Sequence, residues 1–223
     1  MSSPSIRQMV VAPSLPRAIL RVAAILSPVM GLLAIIQGWP LWVVGLIVIT
    51  PWLPFFAWQT AWTYRNYGWF ALFYVLLVTQ TGHVVEHLAQ MTQIHVLGIP
   101  GPHAHGIFGA LDIEWVHFIW NSWVILALAL LVYRFRANPW LWAALAIATW
   151  HQVEHSYIMW VYLTTGKEAT PGLLALGGLL GGGLPVTRAD LHFFYNLLET
   201  LPIYAAFIYQ YRRILQNRAL QRA

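Results

Sequence analysis

The sequence contains no cysteine and few charged residues. Without cysteine the chain has no disulfide, no thiolate nucleophile and no cysteine-ligated zinc or iron–sulfur site. Only 9% of its 223 residues are charged, whereas about a quarter are charged in soluble domains. With 59% hydrophobic residues in continuous rather than alternating runs, the composition predicts an integral membrane protein made of helices.

Six apolar segments are long enough to cross a bilayer as helices, which takes roughly 20 residues each. We predict one all-α domain over residues 1–223, a bundle of six transmembrane helices. Pro51 and Pro54 are expected to kink the second helix. The first segment lacks a small-residue cleavage site after it and is interpreted as a retained helix. The predicted helices span about 18–37, 41–62, 69–95, 112–135, 139–163 and 190–211.

The net charge of +5 and the pI of 9.7 do not indicate nucleic-acid binding, because the basic residues lie at the ends of the predicted helices. Basic residues concentrate in cytoplasmic loops of membrane proteins. With six helices most of them fall on one side, which predicts cytoplasmic N and C termini, and Lys167 and Arg188 fall on the outer side. The residues on the cytoplasmic side are Arg7, Arg17, Arg21, Arg65, Arg134, Arg136, Arg212, Arg213, Arg218 and Arg222.

Two long loops, residues 97–111 and 164–189, are predicted on the outer side. The second contains the glycine-rich sequence PGLLALGGLLGGGLP, which is too interrupted for a spanning helix. It is interpreted either as a re-entrant or surface-lying lid over the outer face or as a plain interfacial loop.

Two segments repeat a metal-binding pattern, H-x-x-E-H. The first is His83-Val84-Val85-Glu86-His87, and the second is His151-Gln152-Val153-Glu154-His155. On an α-helix the first, fourth and fifth positions of the pattern share one side, so each copy presents two imidazoles and a carboxylate together. Two copies on separate membrane helices predict a shared metal site, since ionisable groups in such helices usually mark function.

Further polar residues lie at a similar depth on the fourth and sixth predicted helices. Glu114 and His117 form an E-x-x-H pair, the spacing of di-iron carboxylate bundles. His192, Asn196 and Glu199 form one stripe of the last helix. These positions predict a His/Glu cluster in the outer half of helices three to six. The predicted ligands are His83, Glu86, His87, Glu114, His117, His151, Glu154, His155, His192 and Glu199; Glu86 and Glu154 are also predicted catalytic residues, and Asp112, Asn121, Asp190 and Asn196 are predicted to support the ligands.

Histidine clusters on several membrane helices resemble, in arrangement, the histidine-rich membrane di-iron desaturases and hydroxylases. The resemblance covers the type of motif alone: those families use H-x-x-x-H and H-x-x-H-H boxes and place their site toward the cytoplasm. The two H-x-x-E-H units with the additional His and Glu exceed the three or four protein ligands of a mononuclear zinc site, which favours two metals. We therefore predict a membrane metalloenzyme with two irons per chain that hydroxylates or desaturates a lipophilic substrate, with electrons from a partner protein or quinol. Zinc, manganese and copper also suit histidine and carboxylate ligands.

Other functions fit the same residues. H-x-x-E-H is the inverted zincin spacing, so His83 and His87 would bind zinc with Glu86 as base and Glu199 or Glu114 as a further ligand. The chain would then hydrolyse a lipid amide or ester. A metal-ion transporter and a haem protein are further alternatives, and His–Glu pairs that merely fasten helices together are the structural one.

Overall fold

The computed structural model describes residues 17–220, and this part of the chain is all-helical, without a β-strand. An isolated antiparallel bridge joins Gly178 and Gly182. The predicted all-α class is therefore confirmed. The orientation prediction also rests on Arg7 and Arg222, which lie outside the described residues.

Seven α-helices follow one another within residues 17–220, and short 3₁₀ helices occupy Thr50–Trp52 and Gly101–His103. Each predicted helix begins within two residues of an observed one, and the last extends to Leu220 instead of ending near 211. The helices are α1 (Arg17–Ile36), α2 (Leu41–Ile49), α3 (Leu53–Tyr67), α4 (Phe70–His95), α5 (Ile113–Arg134), α6 (Pro139–Thr165) and α7 (Arg188–Leu220).

Within the described residues, one compact unit comprises residues 17–75 and 211–220. In this unit α1 packs closely on α2. The packing is so close that a Cβ atom on Gly31 would lie only 2.7 Å from a methyl of Val48. Ser27 Oγ also donates to the Val48 carbonyl at 2.8 Å. The 3₁₀ turn that contains Pro51 separates α2 from α3, at the place where the sequence predicts a kink.

The second compact unit, Leu76–Gln210, contains the histidine-rich segments. The Asp112 carboxylate caps α5 by accepting from the backbone N–H groups of Glu114 and Trp115 at 3.0 and 2.9 Å. Asn138 caps α6 and donates to the carbonyl of Ala206 at 2.8 Å, which ties the α5–α6 turn to α7. These contacts fix where α5 and α6 start.

The long loop after α6 is folded into turns. Backbone N–H groups of Leu179 and Leu184 donate to the carbonyls of Gly172 and Leu174 at 3.1 and 2.7 Å. Ala175, from the same loop, is buried in a small apolar cluster with two residues of α7. The loop is therefore a packed part of its unit.

Three helical segments are long and apolar enough to cross a bilayer: Ala18–Ile36, Leu41–Tyr67 and Ile113–Arg134. They indicate a membrane protein. The three other predicted spans are the helices α4, α6 and α7, which carry both H-x-x-E-H motifs and two further predicted ligands, His192 and Glu199. The count of six spans, the single domain and the orientation stay predictions.

Candidate metal centre

Three histidines from α4 and α5 form a first buried group, triad one. His83 and His87 lie one turn apart on α4, and His117 lies in the second turn of α5. Each offers a ring nitrogen within 4.8 Å of the other two. The ring centroids of His83 and His87 are 4.9 Å apart, and His117 lies 5.6 and 5.0 Å from them. This group could hold a metal ion.

Three histidines from α6 and α7 form a second buried group, triad two. His151 and His155 lie one turn apart on α6, and His192 lies in the second turn of α7. Their ring nitrogens also fall within 4.8 Å of one another. The ring centroids of His151 and His155 are 4.8 Å apart, and His192 lies 5.5 and 4.7 Å from them. Triad two therefore reproduces triad one almost distance for distance.

The two triads are neighbours. The rings of His117 and His155 are stacked, with centroids 6.0 Å apart and planes inclined by 5°. One ring belongs to triad one and the other to triad two. The two histidine groups therefore lie side by side, and each contains the two histidines of one motif, whereas the sequence predicts one metal site shared by both motifs.

Backbone carbonyls fix the third histidine of each triad. His117 Nδ1 lies 2.7 Å from the carbonyl of Ile113, and His192 Nδ1 lies 2.8 Å from the carbonyl of Arg188. A carbonyl can only accept, so the hydrogen of each neutral ring is on Nδ1. In both rings Nε2 is left with a lone pair, which is the form that binds metals.

Several of these buried ring nitrogens have no hydrogen-bond partner in the described part of the chain. They include both nitrogens of His83, Nδ1 of His155 and Nε2 of His192. Buried polar groups are normally paired, because an unpaired one costs desolvation energy. In each triad a ring nitrogen of every histidine lies within 4.8 Å of those of the other two, and this arrangement fits a cation.

The glutamates inside the two motifs lie outside both triads. Glu86 Oε1 accepts from the backbone N–H groups of residues 107–109 at 2.8, 2.9 and 3.0 Å. Glu154 Oε1 accepts from the backbone N–H of Leu173 at 2.7 Å. The sequence predicts both residues as ligands and catalytic groups, but the structure brings neither into a ligand group with the histidines. The physical reason is that each glutamate is turned about 100° around its helix from the following histidine.

Two glycines make these loop contacts possible. Gly106 and Gly172 have φ values of +74° and +75°, and a Cβ atom on either would collide with the carboxylate oxygen of Glu86 or Glu154, respectively. Each motif glutamate thus anchors the loop that comes after its own helix.

Glu114 is paired with a cation. Arg188 donates to its two oxygens at 2.7 and 2.5 Å, and the backbone N–H of Ala169 donates to Oε1 at 2.9 Å. The sequence predicts Glu114 as a ligand, but the structure does not group it with the histidines. The sequence analysis uses Arg188 only to predict the orientation of the helices. It could not predict this ion pair, because Glu114 lies 74 positions away in the chain.

Glu199 contacts a triad through the outer side of a ring. Its Oε2 lies 3.1 Å from Nδ1 of His151, and both side chains are fully buried. The carboxylate thus contacts Nδ1 of His151. The other nitrogen of this ring, Nε2, points into triad two and lies 3.2 Å from His155 Nε2.

The residues predicted to support the ligands differ in what they contact. Asp112 is the α5 cap and also accepts from the hydroxyl of Tyr162 at 3.0 Å. Asp190 lies 2.7 Å from Nε2 of His95, outside the triads. The amides of Asn121 and Asn196 donate to the carbonyls of the third histidine of each triad, at 2.9 and 3.0 Å.

A repeated sequence accompanies the repeated geometry. The third histidine of triad one begins the sequence H-F-I-W-N at 117–121, and that of triad two begins H-F-F-Y-N at 192–196. The fourth residue contacts the first histidine of the same triad in both: Trp120 is stacked on His83 at 5.0 Å, and Tyr195 lies 5.2 Å from His151. Reasoning from the sequence missed these two aromatic residues, although the H-F-x-aromatic-N pattern that they share could have revealed them.

Buried acidic side chains lie near the histidines. Glu86, Glu114, Glu154 and Glu199 are each at most 2% exposed, and Arg188 is the cation that the described contacts pair with one of them. A cation held by a triad would be attracted to each of these carboxyl groups that is ionised.

A cavity of about 420 Å³ reaches both triads. His87 and His117 line it from triad one, and His155 and His192 from triad two. The rest of the wall is mostly apolar, with Arg188 and Thr187 among the polar exceptions; the apolar residues include Ile94, Pro102, Ile113, Pro171 and Leu176. A lipophilic molecule in this cavity could touch both groups.

The fold and site thus define a helical protein with two adjacent buried histidine triads that could hold metal ions. No family model matches the chain, and neither a curated protein nor a solved structure does.

Proposed function

We propose that this chain is a membrane metalloenzyme in which each triad holds one metal ion and the pair oxidises a lipophilic substrate with dioxygen. The observation that carries the proposal is the pair of three-histidine groups side by side on one mostly apolar cavity. Three protein ligands per ion leave coordination positions open for a small molecule. Bound there, two redox-active metals would supply electrons to dioxygen.

The residues of the chain would bind and orient the substrate. Ile94, Ile113 and Leu176 offer an apolar wall that excludes water and suits a hydrocarbon chain. Hydroxylation of one C–H bond consumes one dioxygen, two electrons and two protons, and it releases one water. A quinol or an electron-donor protein would supply the electrons.

The sequence analysis predicts iron, but copper fits the ligand set of the triads better. With Glu86, Glu114 and Glu154 bound to other groups, the triads contain imidazole alone. Carboxylate suits manganese, whereas imidazole suits copper, zinc and iron, and copper binds nitrogen ligands most tightly of the divalent series. We therefore place copper first and iron second.

The membrane arrangement is part of the proposal. Six spans with cytoplasmic termini would put the triads near the outer surface. Three segments with the length and hydropathy of spans support the membrane assignment, and the grouping of arginines on alternate connections supports the orientation.

Zinc hydrolysis is the second candidate function. Three histidines with an open position form a ligand set that catalytic zinc uses, and each triad has this composition. Transport fits less well, because buried apolar side chains come after the triad histidines along α5 and α7. These are Val124, Leu128, Leu131 and Ile203, and all four are buried.

Metal analysis of detergent-purified protein, combined with optical and electron paramagnetic resonance spectra, tests the proposal. We expect two copper or iron ions per chain after loading and oxygen consumption when a quinol and a lipid substrate are added. His117→Ala and His192→Ala, which remove matching ligands from the two triads, should each leave one ion.

Other results point elsewhere. Two zinc ions without oxygen consumption would replace the oxidase with the hydrolase. Absence of any bound metal after loading with copper, iron and zinc would overturn the metalloenzyme. A variant with one triad removed that kept two ions would show that the triads are not the ligands.

A further inference from the structure

The two triads differ at one repeated position. Aligning 117–124 with 192–199, so that His117 matches His192, places Val124 opposite Glu199. Both residues are fully buried. One triad therefore has a carboxylate where the other has an apolar side chain.

Among the contacts of the described residues, the Glu199 carboxylate meets a histidine ring of triad two. Glu199 Oε2 lies 3.1 Å from His151 Nδ1. The matching ring in triad one is His83, whose Nδ1 has no hydrogen-bond partner among the described residues. A neighbouring aromatic ring lies beside both histidines, so this contact does not distinguish them.

A carboxylate at this place controls how a histidine binds metal. It accepts the hydrogen of Nδ1, so the lone pair is held on Nε2, and it restricts rotation of the ring. His151 Nε2 lies 3.2 Å from His155 Nε2, so the nitrogen that it frees already points into triad two. The His83 ring has no such partner among the described residues to select its tautomer.

We infer that Glu199 is a positioning residue that makes triad two the tighter and first-filled of the two metal sites, and triad one the exchangeable site. The inference rests on the proposed function, since it requires that both triads bind metal. Loss of such an outer partner typically lowers metal affinity about 10–100-fold, and this is the difference expected between the two sites.

Two variants, each of which keeps one intact triad, allow the metal affinities of the two triads to be compared. His83→Ala leaves triad two, and His192→Ala leaves triad one; neither ring takes part in the stacking of His117 on His155. Affinities for copper and zinc are measured by competition with a chromophoric chelator in detergent. We expect triad two to bind about 10–100-fold more tightly than triad one.

Glu199→Val then gives triad two the side chain that the matching position of triad one has naturally. In the His83→Ala background it should lower affinity about 10–100-fold, and Glu199→Gln, whose amide oxygen can still accept from Nδ1, should restore part of the loss. In the His192→Ala background Glu199→Val should leave the affinity of triad one unchanged, which also shows that the variant folds.

The outcomes separate the inference from the proposed function. Equal affinities of the two single-triad variants, or an equal loss in both backgrounds on Glu199→Val, would overturn the positioning role while leaving the metalloenzyme standing. Failure of both single-triad variants and of the intact chain to bind either metal would overturn the proposed function itself.

Discussion

Replacing Glu86 by glutamine tests whether this residue anchors a loop or binds metal. Its carboxylate accepts from three consecutive backbone N–H groups, those of residues 107–109. A hydrogen bond to a charged group contributes about 1.5–3 kcal/mol, against about 0.5–1.5 kcal/mol for a neutral pair. Loss of the charge at three bonds should therefore destabilise the protein by about 3 kcal/mol.

Glu154→Gln is the matched control. Glu154 occupies the same position of the second motif, but its close hydrogen bond is to the N–H of Leu173 rather than to three N–H groups in a row. The same reasoning gives a loss of about 1 kcal/mol. For a chain of this size 1 kcal/mol corresponds to about 2–4 °C in Tm. Glu86→Gln should thus lower Tm by about 6–12 °C and Glu154→Gln by about 2–4 °C.

Differential scanning fluorimetry of metal-free protein in detergent gives both shifts, and metal analysis of loaded samples gives the number of ions. Both variants should keep two ions per chain. If Glu86→Gln lost an ion while its metal-free Tm stayed at the wild-type value, Glu86 would be a ligand, as the sequence predicts, and the loop-anchor reasoning would be wrong.

Three further predictions concern the surroundings of the triads. Arg188→Gln leaves the buried Glu114 carboxylate without its cation, so calorimetry should show a loss of about 3–5 kcal/mol that Glu114→Gln partly restores. Gly172→Ala should lower Tm more than Gly181→Ala, because both have positive φ but only the first would place a Cβ against a buried glutamate oxygen; equal shifts would show that the contact does not matter. His103→Ala, at an exposed position of the loop between α4 and α5, should leave the metal content unchanged.

The helices were predictable because long apolar runs bounded by proline, glycine and charged residues determine where membrane helices begin and end. The six histidines that the structure groups were all among the predicted ligands, since the spacing of H-x-x-E-H places its two imidazoles on one side of a helix. Features that depend on local helix geometry could thus be predicted from the sequence.

The roles of the carboxylates could not be predicted in this way. Spacing shows that Glu86 lies near the histidines of its motif, but not that a glycine-rich loop 21 residues later supplies N–H groups to it. Likewise, the pairing of Arg188 with Glu114 depends on how the helices pack. Contacts between distant segments decide these cases, and periodicity contains no information on them.

Each triad is local in the chain. The three histidines of triad one lie within residues 83–117, and those of triad two within 151–192. A metal ion in either triad closes one short loop between consecutive helices, which costs little chain entropy. The first site is therefore complete as soon as α5 has been synthesised, and neither ion is needed to hold one half of the centre against the other. Contacts such as the hydrogen bond between Gln80 and Asn196, 3.2 Å long, hold the two halves together.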